Sequence, residues 1–86
     1  MKTIYVKYYS PSEIGLPSPA SKEDEIAACF RAFKCTSEAH ALDVYANTRC
    51  TWSTLLDDDA DVNEFINEAY EHIKANDLNW LEANFT

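Results

Sequence analysis

The sequence predicts a small α+β domain, with residues 1–86 forming a single unit. Residues 2–9 alternate between two sets of side chains in the manner of a strand, while two later stretches repeat apolar residues at three- and four-residue steps, as amphipathic helices do. At 86 residues, 47% of them hydrophobic, the chain holds apolar material for one modest core and no second. The competing class is a mostly α domain, because only the first strand is unambiguous.

In the opening segment, Ile4, Val6 and Tyr8 point one way and Tyr5, Lys7 and Tyr9 the other; β-branched and aromatic residues favour strand there. Residues 10–20 carry Pro11, Gly15, Pro17 and Pro19 and read as a stiff loop. Ser21 followed by Lys22, Glu23 and Asp24 reads as a capped helix start. Ile26, Cys29, Phe30 and Phe33 then extend a helix over 22–35, with Arg31 and Lys34 near its C-terminal dipole. The middle reads two ways. Ser37 caps a helix through Leu42, Tyr45 and Ala46, or Val44, Ala46, Thr48, Cys50 and Trp52 alternate as a strand. The reading adopted is a helix over 37–43 and a strand over 44–52 that pairs with the first, because a lone strand leaves its backbone groups unsatisfied. Val62, Phe65, Ile66, Ala69 and Ile73 define a second main amphipathic helix over 60–75. A short C-terminal helix with Leu78, Trp80, Leu81 and Phe85 follows and covers the core.

Charge is distributed unevenly. The net charge is −8. Residues 1–56 hold six acids and six bases, whereas 57–86 hold nine acids against Lys74. Such a surface repels nucleic acid and anionic membrane and attracts basic surfaces. Asp61, Glu64, Glu68 and Glu71, at steps of 3, 4 and 3 residues, share the helix face opposite Phe65 and Ile66. They span about 15 Å, roughly 5 Å per charge, against ~3.4 Å per phosphate along one DNA strand. Asp57, Asp58 and Asp59 add density at the head of the row, and Glu23–Glu25 or a homodimer would add more. The bland alternative is that these acids cap the helix and keep its outer face solvated.

Other chemistry is thinner. One glycine, Gly15, excludes dinucleotide and phosphate-loop fingerprints. Asp57, Asp59, Asp61 and Glu68 match calcium-loop positions, but Val62 stands where that loop demands glycine. Cys29, Cys35 and Cys50 with His40 have no zinc spacing, and Cys29 lies on an apolar stripe. A Cys50 nucleophile paired with His40 or His72 has nothing visible to activate it. The expectation is no enzyme, no cofactor and no metal. Tyr5 and Tyr9, flanking Lys7, are candidate interface anchors, since tyrosine suits interfaces. The N-terminus lacks an apolar leader, no stretch is long enough to span a membrane and the cysteine count is odd, so a cytoplasmic location is expected.

The run Leu56-Asp57-Asp58-Asp59-Ala60-Asp61 and the helix after it, about a third of the chain, resemble the small acidic inhibitors of bacteriophages and mobile elements, of anti-CRISPR and antirestriction type. The resemblance implies a non-enzymatic binder in the host cytoplasm that blocks the basic nucleic-acid channel of a host defence complex as a partial nucleic-acid mimic. It further implies contacts through Asp57, Asp58, Asp59, Asp61, Glu64, Glu68 and Glu71, with Tyr5 or Tyr9 as anchors. The leading alternative is an accessory subunit or adaptor docking through an apolar patch at Trp80, Leu81 and Phe85.

Overall fold

Burial begins with the first strand. In the computed structural model of the chain, which describes residues 1–17 and 19–84, Tyr5 and Val6 are completely enclosed. They lie on β1 (Lys2–Tyr8), the centre of a three-stranded antiparallel sheet of order β2-β1-β3. The outer strands are β2 (Phe30–Lys34) and β3 (Trp52–Asp57). Register places Phe33 and Leu55 beside Tyr5, and Ala32 and Thr54 beside Val6. Five helices complete the described residues: α1 (Pro11–Ile14), α2 (Lys22–Cys29), α3 (Glu38–Asn47), α4 (Val62–Lys74) and α5 (Leu78–Asn84). The α+β class, with the N-terminal strand paired to a later one, is as the sequence indicates.

The period of two along β1 gives the sheet two working faces. Ile4, Val6 and Tyr8 form the main core with Cys29, Phe30, Ala69 and Leu81, against which Ile26, Phe65, Ile66, Ile73 and Trp80 pack. The opposite face is smaller. Tyr5 meets Cys35 and Ala41 there, with Val44, Tyr45 and Leu55 around them.

Several boundaries differ from the sequence reading, and each difference has a cause. The helix expected over 22–35 stops at Cys29, and residues 30–34 form β2. A buried central strand needs partners along both edges, and that requirement outweighs helical spacing at Phe30 and Phe33. The ladder is continued at its ends by Tyr9 N–H donating to Cys29 O at 2.8 Å and Cys35 N–H donating to Thr3 O at 2.7 Å. Arg31 keeps its expected helix-end role from within the strand, donating from Nη1 to Ala27 O at 2.6 Å. The expected 37–43 helix extends to Asn47, so the middle strand lies at 52–57 and not at 44–52. Ser37 Oγ caps this helix by accepting from His40 N–H at 3.1 Å. Ala41, Val44 and Tyr45, at helical spacing, cover Tyr5. Residues 11–14, read as loop, form one helical turn ended by Gly15 at φ 67°, a left-handed conformation that favours glycine. The second main helix and the short C-terminal helix stand close to where periodicity placed them. Phe85 lies outside the described residues.

A candidate anionic interface at the β3–α4 corner

The acidic row is built by the exit of β3 into α4. Asp57 ends the strand, and Ala60 N–H donates to Asp57 O at 3.0 Å to turn the chain. Asp58 is fixed through its backbone: its N–H donates to Met1 O at 2.9 Å, and its carbonyl accepts from Lys34 Nζ at 3.3 Å. Asp61 is the N-cap of α4, its Oδ1 accepting from Glu64 N–H at 3.1 Å. Val62, Phe65, Ile66, Ala69 and Ile73 then pack against the core, which leaves Asp61, Glu64, Glu68 and Glu71 exposed. Residues 62–68 are the first turns of a helix, so the second half of the calcium-loop spacing does not form a loop here.

The seven acids are not equivalent. Asp57 Oδ1 lies 4.0 Å from the Met1 main-chain nitrogen. One oxygen of Asp61 is committed to its cap. Glu71 pairs with Lys22 Nζ at 3.0 Å and so joins α4 to α2. Lys74, the only base near the row in sequence, is drawn off to Glu25 at 2.7 Å. That contact holds the Glu25 carboxyl below its ordinary range and raises the Lys74 ammonium, in each case mainly through the shared hydrogen bond. Both lysines also sit 5.4 Å from the centre of the Tyr70 ring. Glu68 has only His72 Nε2 nearby, at 4.0 Å. The carboxylates of Asp58, Asp59 and Glu64 have no cationic side chain within 4.0 Å among the described residues, the Lys34 ammonium meeting the Asp58 carbonyl instead. The unneutralised set is therefore Asp58, Asp59, Glu64 and Glu68, on a turn and helix anchored from beneath.

Neither tyrosine candidate joins this set. Tyr5 is completely buried, stacked on Phe33 at 6.3 Å and edge-on to Tyr45 at 6.2 Å, so it is a core residue and not an anchor. Burial pushes its hydroxyl above the ordinary phenol value. Tyr9 is half-buried and donates its hydroxyl to Arg49 O at 2.9 Å, beyond the end of β1. Of the apolar C-terminal patch, the two described residues turn largely inward. Leu81 is buried, while Trp80 stacks on His72 at 4.6 Å and contacts Phe65 at 5.9 Å. Cys29 is in the core as the stripe suggested, and Cys50, half-buried, donates its thiol to Trp52 O at 3.2 Å.

Sequence reasoning missed the device that fixes α5 to α4. Asp77, which the sequence offers as one more acid and, with Asn76, as a break between the two helices, accepts from Trp80 N–H at 3.1 Å through Oδ1 and meets His72 Nδ1 at 2.9 Å through Oδ2. An aspartate three residues before the first inward-facing residue of a helix was the available signal. Asn76 at φ 57° turns the corner, in the left-handed conformation asparagine tolerates. The Asp77 carboxyl is held below its ordinary value by the Trp80 N–H first and the His72 ring next. A group depressed in the folded state stabilises above its unfolded value and loses that contribution as pH falls through the folded one. Acidification below about pH 4 is therefore expected to release α5 first, seen as loss of amide-exchange protection at Trp80 and Leu81. An Asp77→Asn chain is expected to lack this acid step; an identical acid profile in the two chains rules out the assignment.

No protein family matches the chain, and no curated protein or solved structure matches it either. No helix among the described residues is long and apolar enough to cross a membrane.

Proposed function

We propose that the protein is a non-enzymatic binder whose β3–α4 corner docks on a basic protein surface and, by occupying it, displaces the nucleic acid that surface serves. Asp58, Asp59, Glu64 and Glu68 are the contacting groups; Asp57, Asp61 and Glu71 surround them and hold the corner in shape. The observation that supports this reading is the placement of the cations. Lys74 is drawn off to Glu25 and Lys22 is spent on Glu71 at the far end of the row, so the carboxylates of Asp58, Asp59 and Glu64 keep their negative field without a cationic partner among the described residues. Carboxylates carried on a packed helix meet Lys or Arg with no backbone left to order, and charge-assisted hydrogen bonds form at the contact. A host defence complex with a basic nucleic-acid channel is the partner class this fits, as a partial mimic by occupancy. The adaptor reading is weaker because Trp80 and Leu81 face inward.

A pull-down with the immobilised full chain from lysate, at low and at high salt, tests the reading. Retention of a nucleic-acid-binding protein that falls steeply as salt rises is expected. Retention indifferent to salt would indicate an apolar interface and overturn the anionic one.

A further inference from the structure

The half of the sheet bearing β2 is not covered. On the second face α3 packs over β1 and β3, whereas Phe33 on β2 remains 45% exposed. Arg31, Ala32 and Lys34 are exposed as well. β2 is an edge strand, so its outward N–H and C=O groups face solvent. Antiparallel register places Arg31 beside Lys7 and Phe33 beside Tyr5 on this face. Lys7 Nζ lies 5.3 Å from the centre of the Tyr9 ring and 5.4 Å from that of Phe33.

The charge here contrasts with the rest of the molecule. The chain has 15 acids for seven Lys and Arg residues, yet Lys22 and Lys74 are the lysines within 4.0 Å of a carboxylate among the described residues. Lys7, Arg31 and Lys34 have none, nor have Lys2 and Arg49, although acids are in large excess; on this face two of them, Lys7 and Arg31, stand side by side. Arg31 donates from one nitrogen to Ala27 O and Phe30 O, which leaves further guanidinium donors free. Lys34 meets only the Asp58 carbonyl.

We infer that β2 takes an extended acidic peptide segment as an added strand, outside Phe30–Lys34. The open backbone edge supplies the ladder bonds, Lys7 and Arg31, which share the face that α3 leaves open, pair with carboxylates on alternate residues of the incoming strand over the Phe33 ring, and the intervening apolar residues lie on the Ala32 face. A second copy of this chain fits less well, because two β2 edges side by side would bring Arg31 and Lys34 against like charges. Single-stranded nucleic acid fits less well because it has no peptide N–H and C=O groups to complete the ladder along the open edge. The inference does not rest on the anionic corner, which β2 meets only where Lys34 donates to the Asp58 carbonyl.

The test is a heteronuclear NMR titration of the isotope-labelled full chain with a decapeptide alternating glutamate and valine. Parallel titrations use a lysine–valine decapeptide and a decathymidylate. Saturable shifts at the amides of Arg31–Lys34 are expected with the glutamate peptide alone. Lys7→Glu is expected to weaken that binding about fivefold, the upper size of one exposed charge pair, without changing the melting temperature. Should Lys7→Glu lower the melting temperature, the shift map of the natural chain decides the matter without it. The inference is overturned by shifts centred on α4, by an equal response to the lysine peptide, or by saturation with decathymidylate. It is also overturned by concentration-dependent β2 shifts of the protein alone, which would indicate self-pairing, and by no response at about 1 mM peptide.

Discussion

A Glu64→Lys, Glu68→Lys double variant is expected to bind the basic partner at least about tenfold more weakly, equivalent to ~1.4 kcal/mol or more, while its melting temperature falls by no more than a few degrees, the cost of reversing a charge in the first turn of α4. Both side chains are exposed on the outer face of α4, and neither is required for its packing. Glu64 contributes its backbone N–H to the Asp61 cap, and a lysine at that position keeps it. Lysine also matches glutamate closely in helix propensity. Reversal turns two attractive contacts into repulsive ones at the centre of the proposed contact, and such juxtaposition is costly at an interface. Glu71 is left unchanged because its carboxylate ties α4 to Lys22, so reversing it would confound binding with packing. The measurement is a titration against the partner recovered at low salt, with calorimetric melting of both chains. Affinity unchanged by the double reversal, with the fold intact, would remove the corner from the interface.

The second large effect concerns stability. Replacing Tyr5 by alanine is expected to cost about 3–5 kcal/mol, the range for emptying a large buried aromatic site. For a domain with a total stability of only ~5–15 kcal/mol, that leaves a chain close to its unfolding midpoint. Tyr5 is completely enclosed, with Phe33 on one side and Tyr45 on the other. Alanine there would remove the contact that joins α3 to the sheet. Tyr5→Phe keeps the ring and loses only a hydroxyl lying 3.9 Å from Cys50 Sγ, so about 1 kcal/mol or less is expected. Denaturant titration of the two variants separates core from surface. If Tyr5→Ala were as stable as the natural chain, the assignment of Tyr5 to the core would be wrong.

Legibility in the sequence followed how local the determining forces are. The α4 stripe and the alternation in β1 are set by side chains within a few residues, and both stand where periodicity places them. The conversion of residues 30–34 from helix to strand is set by backbone groups of β1 about thirty positions away, which no local pattern carries. The middle strand was misplaced for a related reason: Val44 and Tyr45 fit either period, and only the need to cover Tyr5 selects helix. The acids of the corner were visible as composition. Which of them are neutralised was not, because Lys22 reaches Glu71 across 49 residues. Tyr5 and Tyr9 illustrate the same limit. Alternation put both on one face of the strand, but only the position of α3 decides that one is enclosed and the other reaches the Arg49 carbonyl.

The strand at the centre of the sheet precedes both of its neighbours in the chain. During synthesis β1 leaves the ribosome first and waits without a complete set of partners until Trp52–Asp57 has also emerged. Closing Tyr5 onto Leu55 then means closing a loop of about fifty residues before the pairing rewards it. Pairing with β2 closes one edge of β1 earlier, and the other edge, with the packing around Tyr5 and Leu55, is completed only once β3 arrives.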